Sequence, residues 1–354
     1  MKFRFSILMV LAAALIFAVG CSDDDPVSSN GDGGEMTTVW DDAGFWVTSN
    51  LDASSYDNYA FYNFTDMDVV PLSLNNARNS DAWDFGFNRV NVFVNSDDIG
   101  PGTVYAVDLA TIGHADSADF EGFADRTAID DSVLVGGSVN LVIDDWWGYD
   151  FMTHDVYATN NVYIIYDAEQ NFVKFQIIAI ENEGMENIGD VTIQYIYSGT
   201  SPDFTGSPET MVVNAATTDA YYIDFSTGSV VNPADPENST DWDIAIEGYE
   251  IHQNNTIFGS GSTATFEIWI TQTDPTDFDE TSTAPTNAPY FADQFGSPLT
   301  DWYNYNNTQV SSKQHVYLVK IADTYYKMQI TSYFNSDSGP SATGYYTFRW
   351  VEMD

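Results

Sequence analysis

The chain has one cysteine and very few basic residues, and both shortages limit what it can be. Cys21 is the only cysteine among 354 residues, so no disulfide framework and no cysteine-based metal site can form within the chain. Lysine and arginine number 10 against 53 acidic residues, which gives a formal net charge of −43. Such a chain repels the phosphate backbone, so we exclude nucleic-acid binding as a main function.

The acidic residues are mostly aspartate and are scattered along the chain. A basic partner or a calcium-rich surface would each explain them. We favour a halophilic explanation, because high salt screens the repulsion between carboxylates and a dense carboxylate surface stays hydrated. The charge therefore indicates habitat more than activity.

Sequence patterns of the common enzyme classes are also missing. The chain has no Ser-His-Asp order, no His-Glu-x-x-His, no glycine-rich phosphate loop and no Cys/His spacing typical of zinc sites. Paired carboxylates are uninformative in so acidic a chain. We therefore expect a protein that is not an enzyme.

Residues 1–20 have the features of a bacterial lipoprotein signal peptide. Lys2 and Arg4 precede an apolar run that is too short for a comfortable membrane span. The run ends at Cys21 in a sequence that resembles a lipobox, in which the cysteine becomes the lipidated first residue. An ordinary signal peptide cut after a small residue is the alternative. The position of the single cysteine favours lipidation.

Residues 21–36 are rich in Ser, Asn, Gly and Asp and predict an acidic flexible tether. A serine and three aspartates follow Cys21, and this order resembles the surface-export signal of Bacteroidetes lipoproteins. We expect a protein that is anchored by lipid to the outer membrane and faces outward.

The clearest positive feature is an internal repeat. Trp83–Phe87 (WDFGF) returns as Trp242–Ile246 (WDIAI), and Trp146–Tyr149 (WWGY) returns as Trp302–Tyr305 (WYNY). Each copy has the size of an ordinary domain. A position that is apolar or glycine in both copies should serve the fold, whereas a ligand-type residue in one copy only is a candidate for function.

The apolar runs are short, rich in β-branched and aromatic residues, and interrupted by Gly, Asn, Asp and Pro. Examples are Val162–Tyr166 and Phe172–Ile180, which are separated by a turn-like segment at 168–171. This pattern predicts an all-β protein with two tandem antiparallel domains, copy 1 at 37–199 and copy 2 at 209–354. Because both copies keep the Trp-Asp motif, we expect it to pack in the core with its Asp bonded to backbone.

Copy 2 contains several short motifs in a characteristic order. The WDIAI segment is followed by Asn254-Asn255, Gly259-Ser260-Gly261, the WYNY segment and Tyr325–Tyr333 (YYKMQITSY). This series resembles the HmuY family of Bacteroidetes surface lipoproteins, and copy 1 matches at the same landmarks. The resemblance implies an all-β, non-enzymatic domain that holds haem between two axial ligands. One ligand would lie in the loop after the Gly-x-Gly segment and the other shortly after the Trp-x-x-Tyr motif.

Copy 1 has suitable donors at both places. His114 lies in the loop after Gly102, and Met152 and His154 follow the Trp-Trp-Gly-Tyr motif. Imidazole and thioether are the usual axial donors of haem iron. We therefore predict His114 and His154 as haem ligands, with Met152 as a substitute for His154. No metal other than haem iron is expected.

Copy 2 lacks these donors. Thr308 and Gln309 stand where Thr153 and His154 stand in copy 1, and the loop at 272–295 contains neither His nor Met. The remaining histidines are expected to be a surface residue (His252) and a strand-end residue (His315). The comparison assigns any haem site to copy 1.

The leading hypothesis is a surface lipoprotein that binds haem or a related tetrapyrrole through copy 1, with a TonB-dependent receptor as a partner. Arg89 or Arg126 would offset the negative haem propionates. The alternative is a glycan- or protein-binding adhesion lipoprotein without haem, because abundant aromatic side chains provide stacking surfaces.

Overall fold

The computed structural model describes residues 35–182, 188–215, 219–268, 277–306, 309–335 and 342–354. This part is built mainly from antiparallel strands, which confirms the all-β prediction. Helices in the same part are too short to cross a membrane. The predicted signal peptide, Cys21 and most of the tether lie outside the described residues.

The elements are numbered in chain order. The strands are β1 Thr37–Trp40, β2 Trp46–Asp52, β3 Ala60–Asn63, β4 Asp68–Val70, β5 Phe85–Asn88, β6 Asn91–Val94, β7 Val104–Asp108, β8 Ser138–Asn140, β9 Trp147–Tyr149, β10 Val156–Ala158, β11 Val162–Tyr166, β12 Phe172–Asn182, β13 Ile188–Gly199, β14 Glu209–Asn214, β15 Tyr221–Asp224, β16 Ser229–Val231, β17 Ile244–Glu247, β18 Glu250–Gln253, β19 Ala264–Glu267, β20 Gln294–Gly296, β21 Tyr303–Asn306, β22 Gln309–Ser312, β23 Tyr317–Ile321, β24 Thr324–Phe334 and β25 Thr343–Met353. The α-helical turns are α1 Leu74–Ala77 and α2 Asp277–Glu280, and short 3₁₀ turns are Arg126–Ala128, Asp131–Val133 and Pro236–Asn238.

The described chain forms two compact units. The continuous unit is residues 141–293, and the split unit combines residues 35–140 with residues 294–354. The domain boundaries predicted from the repeat, 37–199 and 209–354, do not coincide with these units. Each unit combines half of copy 1 with half of copy 2.

The continuous unit contains a five-stranded sheet in the order β14-β13-β12-β11-β19 and a four-stranded sheet in the order β16-β15-β17-β18. Alternating apolar side chains of the first sheet, such as Phe175 and Ile193, pack in one core with Ile223 and Ile244 of the second. Trp146 closes this core beside the separate β9–β10 hairpin.

The split unit repeats this plan. Its larger sheet has the order β1-β2-β25-β24-β23-β7, its four-stranded sheet has the order β4-β3-β5-β6, and two further pairs are β21–β22 and β8–β20. Aromatic rings dominate the core, where Phe64 lies 4.6 Å from Trp350 and Phe87 stacks 5.7 Å from Phe348, measured between ring centroids.

Equivalent strand pairs explain why each unit can draw on both copies. In the continuous unit, β11 of copy 1 pairs with β19 of copy 2 and places Tyr163 opposite Glu267. In the split unit, β23 of copy 2 pairs with β7 of copy 1 and places Tyr317 opposite Asp108. Because the two copies have matching strand edges, the hydrogen-bond pattern is satisfied by a strand from either copy.

Candidate functional site

The β9–β10 hairpin of the continuous unit presents the Met152 and His154 side chains. Its turn is fixed by Asp150, whose carboxylate accepts the Met152 N–H at 2.7 Å and whose carbonyl accepts the His154 N–H at 2.8 Å. His154 has a left-handed backbone with φ of 64°. An aspartate that bonds the backbone two residues ahead is a common way to hold such a turn.

The His154 ring is oriented by Tyr149. The phenolic oxygen of Tyr149 lies 2.6 Å from Nδ1 of His154. In the tautomer in which Nδ1 donates to this oxygen, Nε2 carries the lone pair and can coordinate a metal. The hairpin therefore supplies an outward-facing imidazole in a fixed orientation.

Two large apolar side chains in the same turn as His154 face solvent. Phe151 is 77% exposed and Met152 is 89% exposed. The rings of Phe151 and Tyr149 meet edge-on at 5.0 Å between centroids. Two such side chains at the tip of one hairpin are costly in water unless a ligand or partner covers them. The thioether of Met152 is a second iron donor at the same tip.

His114 belongs to the split unit and has a different environment. Its Nδ1 accepts the Asp116 N–H at 3.3 Å, and its ring lies edge-on to Phe123 at 5.4 Å between centroids. In this arrangement the proton of the neutral ring is on Nε2. Coordination by His114 therefore requires that it give up this hydrogen bond. The structure brings Met152 and His154 together in one turn, whereas His114 is part of the other unit.

A cavity of about 340 Å³ lies in the split unit near the loop that carries His114. Thr111 and Ile112 line it together with Val135, Asn140 and Ser297. His114 is not among its lining residues. The cavity is at the small end of ligand pockets, so it fits a small neutral molecule better than a macrocycle.

The other basic groups of the split unit are already engaged. The Arg126 guanidinium lies 3.5 Å above the Tyr325 ring, and that of Arg89 lies 4.5 Å above the Tyr56 ring. Nδ1 of His315 lies 2.8 Å from the Asp108 carboxylate at the start of β23. These contacts serve packing and charge balance within the unit.

His252, in the continuous unit, was expected at the surface. It lies on β18, where its side chain is only 12% exposed and stacks on Phe258 at 4.1 Å between ring centroids. His252 is therefore largely covered.

The Trp-Asp motif is part of the core in both units, as predicted. Trp83 and Trp242 are buried, and the Asp84 and Asp243 carboxylates accept backbone N–H groups at 2.7 Å. Burial raises the pKa of Asp84 to about 6 and that of Asp243 to about 7. These carboxylates hold strand ends together.

Three acidic side chains in the described part lie close together. Oxygens of Asp167, Glu169 and Asp243 lie within 4.8 Å of one another. Both oxygens of Asp243 accept backbone N–H groups, and Asp167 accepts the N–H groups of Glu169 and Asn171. Their contacts support the turn between β11 and β12.

Tyr149 is the site residue that the sequence comparison did not single out. Tyr305 occupies the same motif position in copy 2, so a rule that looks for differences between copies assigns both tyrosines to the fold. The useful signal is the pair: only copy 1 has a histidine five residues after this tyrosine.

One protein family matches more than half of the chain. The model of the family described as HmuY protein matches residues 55–195 and 216–307. No curated protein matches the chain. Among solved structures, a putative lipoprotein from Bacteroides fragilis NCTC 9343 is 11% identical, covers 92% of this chain and 97% of its own, and has a TM-score of 0.33. The apo HmuY analog of Tannerella forsythia is 9% identical, covers 92% of this chain and 100% of its own, and has a TM-score of 0.32.

Proposed function

Because the chain belongs to the HmuY family, we propose that it is a non-enzymatic, lipid-anchored surface lipoprotein that binds haem or a related tetrapyrrole. The family match extends over more than half of the chain and confirms the resemblance inferred from the motifs. The proposed lipid anchor is Cys21, and the proposed location is the outer face of the outer membrane. A TonB-dependent receptor is the proposed partner for uptake.

The tip of the β9–β10 hairpin carries this proposal. His154 offers Nε2 as an iron donor while Tyr149 holds Nδ1 at 2.6 Å, and such a partner fixes ring orientation and increases ligand basicity. The exposed Phe151 ring provides an apolar surface for a flat macrocycle. When bound, the haem would supply an iron that imidazole and thioether side chains can coordinate, and His154 and Met152 would hold it.

His114 remains a proposed second ligand and is tested separately, because it belongs to the split unit. It would have to give up the hydrogen bond from the Asp116 N–H to coordinate through a deprotonated nitrogen. His154 needs no such rearrangement, so we assign it the larger share of the affinity.

Haemin titration of the mature protein in high salt tests the proposal. We expect a sharp Soret band for the wild type. His154→Ala should lose this band or bind haemin at least roughly tenfold more weakly. Tyr149→Phe should show a smaller loss of affinity than His154→Ala, since outer-shell partners commonly contribute about 10–100-fold. A change in the spin state of the bound haem in Met152→Ala or in His114→Ala would identify the side chain that supplies the second iron ligand. His252→Ala, which removes a largely covered histidine of the same unit, is the matched control and should bind like the wild type.

No spectral change over free haemin would contradict haem binding. The exposed Phe151, Met152 and Tyr157 side chains would then favour the glycan- or protein-binding alternative. In that case Phe151→Ser should reduce binding to the partner, whereas His154→Ala should leave it unchanged.

A further inference from the structure

Both legs of the β9–β10 hairpin are joined at their base by Asp145. This residue lies just before β9, and its carbonyl accepts the Thr159 hydroxyl at 2.8 Å and the Asn161 side-chain amide at 3.3 Å, just after β10. Its carboxylate accepts the hydroxyl of the buried Tyr163 at 2.9 Å. The position of the hairpin relative to the five-stranded sheet therefore depends on Asp145.

A second carboxyl group meets Asp145 at this base. Glu267 of β19 lies opposite Tyr163 in the strand register and accepts the Asn161 amide at 3.0 Å. The same Asn161 amide also donates to the Asp145 carbonyl, so the Asp145 and Glu267 side chains converge on one small region. Two carboxylates this close repel each other when both are ionised, and a proton on one of them removes the repulsion.

The matching positions of the split unit place basic side chains beside their carboxylates. Asp108 takes the place of Glu267 opposite Tyr317, and Nδ1 of His315 lies 2.8 Å from its carboxylate. Lys313, whose N–H bonds the Trp302 carbonyl as that of Thr159 bonds the Trp146 carbonyl, forms an ion pair with Asp301.

The continuous unit has Thr159 and Asn161 in place of Lys313 and His315. Its two carboxyl groups therefore have no basic side chain at the matching positions.

We infer that the Asp145–Glu267 pair is a proton-dependent clamp, which holds the base of the β9–β10 hairpin while one group carries a proton and loosens it when both groups ionise. Asp144 from the same segment and Tyr163 from β11 are further titratable side chains near the pair. Neither brings a positive charge, and the segment at 159–161 carries none.

The sign of the pH dependence follows from Glu267. Burial, followed by the neighbouring Asp145 charge, raises the pKa of Glu267 from 4.5 to about 8. A carboxyl group with a raised pKa stabilises the folded arrangement fully below its ordinary value, and this contribution is lost as the pH rises to the raised value. The clamp should be strongest near pH 4.5 and should weaken progressively up to about pH 8, with no further loss above it.

Hydrogen–deuterium exchange of the full chain, corrected for intrinsic rates, measures the clamp directly. We expect exchange at residues 147–158 to be at least roughly tenfold faster near pH 8 than near pH 5, because one unit of pKa difference is a tenfold change in the opening equilibrium. Glu267→Gln keeps the hydrogen-bonding groups without the charge, so its protection should not vary with pH.

Asp108→Asn is the matched control, because it removes the equivalent carboxylate of the split unit and should leave exchange at 147–158 unchanged. Equal exchange in the wild type at both pH values, or a Glu267→Gln variant with the wild-type pH dependence, would overturn the inference. If circular dichroism shows that Glu267→Gln is unfolded, Asp145→Asn provides the same test.

The exchange measurement tests the clamp without haem and so does not rest on the proposed function. If exchange changes with pH but haemin gives no Soret band, the clamp is supported and the haem proposal is contradicted.

Discussion

Single residues in the core show how the chain uses buried carboxylates as backbone acceptors. The Asp243 side chain accepts the Phe225 N–H at 2.7 Å and the Ala168 N–H at 3.0 Å, so it joins the turns after β15 and β11. These donors have no solvent to replace the lost partner, because Asp243 is only 1% exposed.

Asp243→Ala should therefore destabilise the continuous unit. Each buried N–H left unpaired costs about 1–3 kcal/mol, so the free energy of unfolding should fall by at least about 2 kcal/mol. Denaturant unfolding followed by tryptophan fluorescence measures this loss. Asp241→Ala, an exposed neighbour, is the control and should stay within about 0.5 kcal/mol of the wild type. Equal stability of both variants would contradict the role assigned to Asp243.

The sequence predicted residue roles well where the copies agree and less well where function depends on a pair. Both Trp-Asp motifs were assigned correctly to the core, because burial needs the same residues in each copy. The roles of Tyr149 and Asp145 are not predicted from the sequence, because Tyr305 and Asp301 occupy the same positions in copy 2. Their roles depend on partners, which are His154, five residues from Tyr149, and Glu267, in copy 2. A search of single positions does not detect such pairs.

At the scale of strands, one cross-strand pair differs between the units at both of its positions. On β5 and β6, Gly86 lies opposite the buried Phe93, while on β17 and β18 Ala245 lies opposite His252. A Cβ added at Gly86 would overlap the Phe93 ring. The ring occupies the space that a side chain at position 86 would need.

Gly86→Ala should consequently destabilise the split unit by about 1–3 kcal/mol through overpacking. The double variant Gly86→Ala/Phe93→Leu should recover part of this loss, because the smaller side chain makes room for the new methyl group. Thermal unfolding monitored by circular dichroism measures both effects. A Gly86→Ala variant as stable as the wild type would show that the strand pair can separate to accept the methyl group.

Strands and turns were the level at which the sequence was most informative. The runs at 162–166 and 172–180 form β11 and the first part of β12, joined by a turn in which Asp167 N–H bonds the Asn171 carbonyl. Local alternation and turn residues determine such hairpins without reference to distant parts of the chain. Which hairpin pairs with which single strand is a long-range choice, and the sequence pattern does not specify it.

For the whole molecule, the sequence repeat and the compact units divide the chain at different places. The repeat reports similarity between segments, whereas a compact unit is defined by which strands are hydrogen bonded and which side chains share a core. The pairs β11–β19 and β23–β7 both join one copy to the other. Because the copies have equivalent edges, composition and periodicity are the same for either choice of partner. Strand pairing in three dimensions supplies the missing information.

This division predicts which fragment folds. Residues 141–293 contain every strand of the five-stranded and four-stranded sheets of the continuous unit, and the core between them is built from residues of the same range. Residues 209–354 contain β14 and β19 without the three strands between them, and β23–β25 without β2 and β7. We expect the fragment 141–293 to unfold cooperatively in high salt with a native-like near-ultraviolet spectrum.

The fragment 209–354 is the matched comparison, since it has similar length and composition but exposes unpaired strand edges. Exposed edges promote association, so it should form oligomers or lack a cooperative transition, as sedimentation and calorimetry would show. The opposite result would mean that the two halves of copy 2 pair with each other as readily as with copy 1. The repeat, and not the compact unit, would then be the folding unit of this chain.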